Sequence, residues 1–454
     1  MASERSTGAS PKAAETERTS GRLPGDGPVG TVSGHFTHCQ NCGHQPLLTI
    51  MDFGHHPPCD SLVRPAQLSK PEPFYPLHLF RCERCGLVQI DYAVDPAELF
   101  YEEYPYMTGI TGALKSNFDA MAGKVIETLS LQPGSLVVDI GSNDGTILQG
   151  FKTRGMRVLG VEPTGIAKVA NTRGITTLQT FFSEEVAQDI VKKEGPASLI
   201  TAANVFAHVA NLGPCLRGIH ALLADHGTFI SESHYLLDLI DTLQYDTIYH
   251  EHLRFYSIKP MQDMMKRFGF SVVDAERIPN HGGSIRVYAV KGTAGKPSGR
   301  LQELIKQEEA YGLYDAALYA TFARRVRQSK WKLMHMLTDL KLKGHRIVGI
   351  GSPGRSSTVM NYCGIGPDYL CSSVLVLAPN DGVVTIEAVS TQDGGYPPLE
   401  VETVGVSPCC SERMGNPTTI RVTAGTVIVV NVEMLANSTS AQSFVVNTTP
   451  PLTP

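Results

Sequence analysis

Two sets of residues have types and spacings suited to chemistry. The stretch "YDTIYHEHLRFYS", residues 245–257, places Tyr249, His250, Glu251 and His252 side by side, with Arg254, Phe255 and Tyr256 behind them. Imidazole, phenol and carboxyl groups at this density can take up and pass on a proton near neutral pH. A polar surface turn with two chance histidines accounts for the same letters. A metal reading of "HEH" lacks the H-E-x-x-H spacing and an obvious third ligand. On an extended backbone His250 and His252 would share one face and Tyr249 and Glu251 the other, so all four would not line one pocket. His250 is then the first to leave out.

The second set is cysteine. Of ten cysteines, Cys39 and Cys42 lie in "CQNCG", and Cys82 and Cys85 in "CERCG". C-x-x-C lets two thiolates of one tight turn reach a single ion, and two such knuckles make the closed Cys₄ set that zinc favours. Four thiolates leave no open position, so the zinc is expected to be structural. The 39 residues between the pairs require a folded insert. Redox chemistry is the alternative use of the same motif.

These residues need elements to hold them. From residue 134, short apolar runs alternate with helical segments: "SLVVDIG", "NDGTILQGFKTRG", "RVLGVEP", "TGIAKVANTRG", "ITTLQ", "SEEVAQDIVKKEG", "ASLITAANVF", "LGPCLRGIHALLADHG" and "TFISES". Such alternation predicts a parallel sheet covered on both faces. The strands of "FGFSVVDAERI" and "GSIRVYAVK" follow closely and are expected to pair antiparallel at one edge. The first turn, "DIGSNDG", covers Asp139, Gly141, Ser142, Asn143, Asp144 and Gly145. Its glycines let backbone pass close to a ligand at the carboxyl ends of the strands. It is too short for a G-x-G-x-x-G cradle, and its acids would repel phosphate. Glu162 ends the second strand, where a carboxylate can hold ribose hydroxyls. This combination suits S-adenosylmethionine (SAM) better than NAD or ATP, with a plain structural turn as the alternative.

Length and composition set the bounds. The 454 residues are 42% hydrophobic and 18% charged, with a formal net charge of −5. That is enough chain for two or three cored domains. No basic excess points to a nucleic acid partner, and no apolar stretch reaches membrane-spanning length. The first residues lack a signal peptide's apolar core, so a cytoplasmic location is expected.

The chain resembles the SAM-dependent deoxysugar C-methyltransferases from about His35 to Asp368. The resemblance rests on "CQNCG", "MDFGHHP", "YPLHLFRCERCGLVQI", "VVDIGSNDG", "NVFAHV", "YDTIYHEHL", "HGGSIRV" and "GIGSPGRSSTVMNY", in that order. It implies a Rossmann-like methyltransferase core preceded by a Cys₄ zinc domain and followed by a second α/β domain. It also implies a nucleotide-linked 4-keto-6-deoxysugar as substrate, methylated beside its ketone through an enolate. His252 is then the base, with Tyr249 and Glu251 orienting it or the sugar and His208 nearby. Asn204, from "NVFAHV", joins the cofactor set of Asp139 to Gly145 and Glu162. Tyr104 and Tyr106 of "YEEYPYMTG" match a loop that closes over cofactor or sugar. "GIGSPGRSS" would open a helix whose N-terminus faces a diphosphate. The family usually has lysine where Arg355 stands, and arginine keeps the charge but not the shape. In "HGGSIRV", Gly282 and Gly283 allow close backbone approach, or make a simple hairpin turn.

The expected divisions are a disordered tail at 1–34, a zinc-binding domain at 35–95 and a methyltransferase core at 96–292. A partial sugar-nucleotide-binding α/β domain follows at 293–370, then a β-rich segment of unknown role at 371–454. After "GIGPDYL" the resemblance stops, and the Val- and Thr-rich remainder contains no lysine. Two rival readings follow: a degenerate protein that keeps the zinc and SAM folds without turnover, and a methyltransferase for a non-sugar small molecule. Oligomeric state is not legible.

Overall fold

The computed structural model describes residues 33–370 except 62, 64–66, 68, 111, 293–294 and 351–352; beyond 370 it describes three strands alone. Nearly all of the tail expected to be disordered, and most of the β-rich segment, therefore lie outside the described residues.

The cysteine-bearing part begins with β1 (Gly34–His35), β2 (Leu48–His56), β3 (Tyr75–Arg81), β4 (Val88–Ile90) and β5 (Tyr92–Ala93). β1 pairs antiparallel with β5. Buried Leu77, Leu79 and Arg81 alternate with the half-buried Pro76, His78 and Phe80 on β3, the period a one-sided sheet requires. The glycine closing each C-x-x-C-G, Gly43 at φ 70° and Gly86 at φ 80°, takes the left-handed turn that folds the knuckle back.

The central sheet starts with β6 (Leu136–Ile140), all five of whose residues are buried. It continues through β7 (Arg157–Val161), β8 (Thr177–Leu178), β9 (Ala197–Ala203) and β10 (Leu223–His234). After the short β11 (Arg254–Phe255), β12 (Phe270–Ile278) and β13 (Ser284–Lys291) complete it in the order β12-β13-β10-β9-β6-β7-β8. The five strands β6 to β10 run parallel. β13 enters antiparallel beside β10, and β12 closes that edge antiparallel to β13, as the sequence predicts. Helices cover the sheet. One of them, Glu184–Glu194, is capped by Ser183, whose Oγ accepts the Val186 N–H at 3.2 Å. Acids in its first turn and Lys192 and Lys193 in its last complement the helix dipole.

β11 does not join the central sheet. It adds to the edge of the cysteine-bearing sheet, in the order β11-β4-β3-β2. The segment just before it, Tyr249 to Leu253, is thereby held between the two sheets.

Two helices, Gly299–Ala310 and Ala316–Leu342, lead to β14 (Arg346–Ile350) and a further helix, Gly354–Cys363. Strands β15 (Ser372–Leu377), β16 (Thr385–Ala388) and β17 (Val427–Val430) lie with β14 in one sheet, in the order β16-β15-β14-β17. The last helix turns back onto the reactive segment. Thr358 Oγ1 donates to the Ile248 carbonyl at 2.8 Å, and the Tyr362 ring sits 5.2 Å from Phe53 and 6.0 Å from Tyr245. Buried Glu308 fastens the first long helix, accepting from Tyr235 Oη at 2.9 Å and the Ile258 N–H at 2.8 Å.

Candidate functional site

The four sulfurs of Cys39, Cys42, Cys82 and Cys85 all lie within 4.8 Å of one another. Cys39–Cys85 and Cys42–Cys82 are each 3.5 Å apart. Tetrahedral Zn–S bonds of about 2.3 Å put sulfurs about 3.8 Å apart, so the cluster fits one zinc. The Cys42 N–H points at Cys39 Sγ (3.4 Å) and the Cys85 N–H at Cys82 Sγ (3.5 Å), which stabilises thiolates.

The turn after β6 is braced from several sides. Asp139 lies in the strand, fully buried; one carboxylate oxygen accepts from Thr201 Oγ1 at 2.6 Å and the other has no partner among the described residues. Burial pushes its pKa up to about 7. Ser142 Oγ is also buried without a partner. Asn143, at φ 50°, binds the tyrosine-rich loop: its Oδ1 accepts the Thr108 N–H at 2.8 Å, and its Nδ2 donates to the Tyr106 carbonyl at 3.0 Å. Asp144 is committed to Gly109 N (3.0 Å), Thr146 Oγ1 (2.7 Å) and Arg173 (2.7 Å). The acidic turn expected to repel phosphate is thus partly neutralised, and Asp144 buttresses the loop. Glu162 accepts from Thr164 N (2.9 Å), Thr164 Oγ1 (2.6 Å) and Asn143 N (3.0 Å). A carboxylate has about four acceptor positions, so one remains for a ribose hydroxyl. Gly141 stands at φ 65°, where an added Cβ would lie 2.3 Å from Val205. Asn204, at φ 55°, follows β9, its N–H donating to the Glu232 carbonyl at 2.8 Å. Unpartnered Asp139 and Ser142 oxygens, a residual acceptor on Glu162 and a glycine backbone suit SAM's hydroxyls and sulfonium charge.

The reactive segment corrects one expectation. Tyr249 to His252 is not extended but a turn, closed by the His252 N–H to the Tyr249 carbonyl at 2.9 Å. A turn brings its first and fourth residues together, so the Tyr249 and His252 rings lie 4.2 Å apart. Glu251 points to the same region. His250 points away, with Nε2 3.2 Å from the Pro76 carbonyl and its ring 5.9 Å from Tyr75.

His252 lies at the centre of a cluster. The rings of His208 and His234 are each 4.8 Å from it, and His281 is 5.8 Å from His234. His252 Nδ1 sits 2.6 Å from the Thr247 carbonyl. A carbonyl only accepts, so Nδ1 carries the proton and Nε2 presents a lone pair. Burial, offset in part by that hydrogen bond and reinforced by Arg355 and His281, lowers the His252 pKa to about 4. Burial likewise holds His208, His234 and His281 below the usual range. Glu251 is shifted the other way, to about 8, chiefly by burial and then by the nearby Asp60. Its Oε2 accepts from Tyr104 Oη at 2.8 Å and lies 4.0 Å from His208 Nδ1.

Of the two tyrosines expected in the loop, Tyr104 therefore reaches the cluster through Glu251; Tyr106 is 44% exposed as a residue, yet burial of its hydroxyl, and then the charges of Asp144 and Asp60, raise its pKa, so that end also lies near the site. Arg355, one residue into the last helix, is ion-paired with Asp246 at 3.0 Å and points a second nitrogen at it at 3.1 Å. Its charge is felt by His252, His234 and His281, so it borders the cluster. Gly282 and Gly283 allow a close approach: Cβ atoms there would lie 2.4 Å from Gln244 Oε1 and 2.3 Å from Asp238 Oδ2.

Sequence reading gave no role to His234, His281, Cys59 or Asp60. His234 is the last residue of β10, and the rule that ligands bind beyond strand carboxyl ends could have found it. His281 opens "HGGSIRV", but nothing local shows that it reaches the cluster. Cys59 and Asp60 carry no motif signal.

Family models match three successive segments. A zinc binding domain matches residues 39–100, a methyltransferase domain 114–275, and a C-methyltransferase C-terminal domain 279–375. The C-methyltransferase NovU of Streptomyces niveus is 32% identical over 345 residues, covering 75% of this chain and 81% of NovU. Among solved structures, magnesium protoporphyrin IX methyltransferase of Synechocystis PCC 6803, with bound SAH, is 14% identical at a TM-score of 0.31, covering 39% of this chain and 83% of that one. YcgJ of Bacillus subtilis is 16% identical at a TM-score of 0.32, covering 38% and 99%.

Proposed function

Since the chain belongs to the SAM-dependent C-methyltransferases that join a zinc-binding domain, a Rossmann-like methyltransferase core and a dedicated C-terminal domain, we propose that it methylates the carbon beside the ketone of a nucleotide-linked 4-keto-6-deoxysugar. The reading rests above all on His252, whose Nδ1–H is tied to Thr247 so that the unprotonated Nε2 is left for the substrate. A C–H next to a carbonyl is weakly acidic and needs a placed base.

A pKa near 4 keeps His252 unprotonated at neutral pH but makes it a weak base in the resting protein. The enolate formed beside it offsets this, because a new negative charge next to the imidazole favours the charged ring. His252 Nε2 takes the carbon's proton and holds it while the electron pair moves to the ketone oxygen. The Tyr249 hydroxyl and His208 are donors for that oxygen, while Tyr104 gives its hydroxyl hydrogen to Glu251 Oε2. Asp139, Gly141, Asn143, Glu162 and Asn204 would hold SAM, whose sulfonium would supply an electrophilic methyl group. Cys39, Cys42, Cys82 and Cys85 would hold a structural zinc, in a closed set with no position open to substrate.

The test is proton exchange followed by NMR. A thymidine-diphosphate 4-keto-6-deoxysugar is incubated in deuterated water with the protein, with and without SAM, beside His252→Asn. The proton beside the ketone should exchange with wild type and at least about 100-fold more slowly with the variant. No exchange by wild type that still binds SAM would overturn the sugar reading. One observation favours a second reading, a smaller ketone without a nucleotide: Asp246 already occupies Arg355, the cation expected for the diphosphate. Exchange on simple ketones but not on the nucleotide sugar would select it.

A further inference from the structure

The loop after β2 belongs to the cysteine-bearing part, yet it reaches the reactive cluster. Cys59 Sγ, a carboxylate oxygen of Asp60 and one of Glu251 all lie within 4.8 Å of one another. Cys59 donates to Glu251 Oε1 at 3.6 Å. Tyr101 Oη fixes the loop by donating to the Asp60 main-chain carbonyl at 2.8 Å. The last helix closes the third side, since a Cβ on Gly354 would lie 2.9 Å from Asp60 Oδ1. Among the described residues, the groups facing Glu251 are thus Asp60 and Cys59 from this loop, Tyr104 from the tyrosine-rich loop, His208 after β9 and Tyr249 of its own turn. None of these is a fixed cation, and Arg355, the cation of the last helix's first turn, is taken by Asp246.

Two carboxyls so placed cannot both ionise without a large repulsion. We propose that Asp60 is a positioning residue of the active site, holding one shared proton on Glu251 so that Glu251 works as a neutral acid and the negative charge stays on Asp60. The proton lies between the two carboxyls. Glu251 remains an acceptor for Tyr104 without placing a full charge 4.0 Å from His208. His208, and His252 beyond it, then stay in their unprotonated forms. Burial raises the Asp60 pKa, while the hydrogen bonds from Glu251 and Cys59 lower it in part, which favours the charge of the pair on Asp60. A domain built around zinc thereby sets the protonation of a residue in the methyltransferase core.

The catalytic meaning rests on the proposed reaction, but the protonation of Glu251 can be read without any substrate. Isotope-edited infrared difference spectroscopy on the full chain with zinc bound follows the carbonyl stretch of a protonated carboxyl. Glu251→Gln identifies the band. In wild type the band should persist at pH 7 and be lost near pH 8. In Asp60→Asn, which keeps the shape and removes the charge, the loss should move at least one unit lower. Asp60→Glu should restore the wild-type titration. A wild-type band already absent at pH 6 overturns the proposal whether or not the variants fold. An unmoved titration in folded Asp60→Asn overturns it as well, and leaves Asp60 a packing role. If the band behaves as expected and no ketone exchanges its proton, the substrate reading fails and this one stands. If exchange occurs, the alkaline limb of kcat/KM should follow the same one-unit shift in Asp60→Asn.

Discussion

His252→Asn should change how stability depends on pH, by an amount that follows from the buried imidazole. Folding lowers the His252 pKa from 6.5 to about 4. The sign follows from proton binding: above 6.5 the ring is neutral in both states and contributes nothing. As pH falls below 6.5 the unfolded chain takes up a proton that the folded protein refuses, so stability is lost until the folded ring also titrates near 4. At pH 5 the unfolded ring is almost fully protonated and the folded ring about one-tenth so. At about 1.4 kcal/mol per unit, the wild type is penalised by about 2 kcal/mol. The variant carries no such penalty. At pH 7.5 it should be the less stable protein by about 1–2 kcal/mol, having lost a buried hydrogen bond. Between pH 7.5 and pH 5 that deficit should vanish or reverse. Urea unfolding followed by far-UV circular dichroism at the two pH values measures it. A deficit that stays constant within about 0.5 kcal/mol would mean that folded His252 titrates normally. The ring would then be partly charged near neutrality, and its assignment as the unprotonated base would fail.

Metal analysis should find about one zinc per chain, with none in Cys39→Ser or Cys82→Ser, and chelation should lower the melting temperature because metal binding is coupled to folding. A metal-free protein that melts at the same temperature would refute the Cys₄ site. Gly283→Ala should cost more than about 2 kcal/mol, since its Cβ would meet Asp238 at 2.3 Å on a residue at φ 122° and displace the partner of Arg277. Gly195→Ala, at φ 85° with open space around it, isolates backbone strain and should cost about half as much or less; equal losses in thermal melts would show that the contact with Asp238 is immaterial.

The sequence by itself determined what short-range physics controls. C-x-x-C-G specifies a thiolate knuckle because two cysteines and a left-handed glycine fit one tight turn, and Gly43 and Gly86 take that conformation. Unbroken apolar runs such as "SLVVDI" specify strands buried on both faces, and β6 is one. The antiparallel edge of β12 and β13 was legible from two strands separated by a short turn. His252 was legible as a base candidate from its company. Tertiary structure alone decided the rest, because those contacts join elements far apart in the chain. The turn that places Tyr249 against His252 and sends His250 to Pro76 is held between two sheets, one of them completed by β11. Arg355 meets Asp246 only because the last helix folds back over that turn. Cys59 and Glu251 are 192 residues apart, and no local pattern encodes their contact. The tautomer of His252 and the shared proton of Glu251 are likewise set by a carbonyl, a carboxylate and burial that the folded chain supplies.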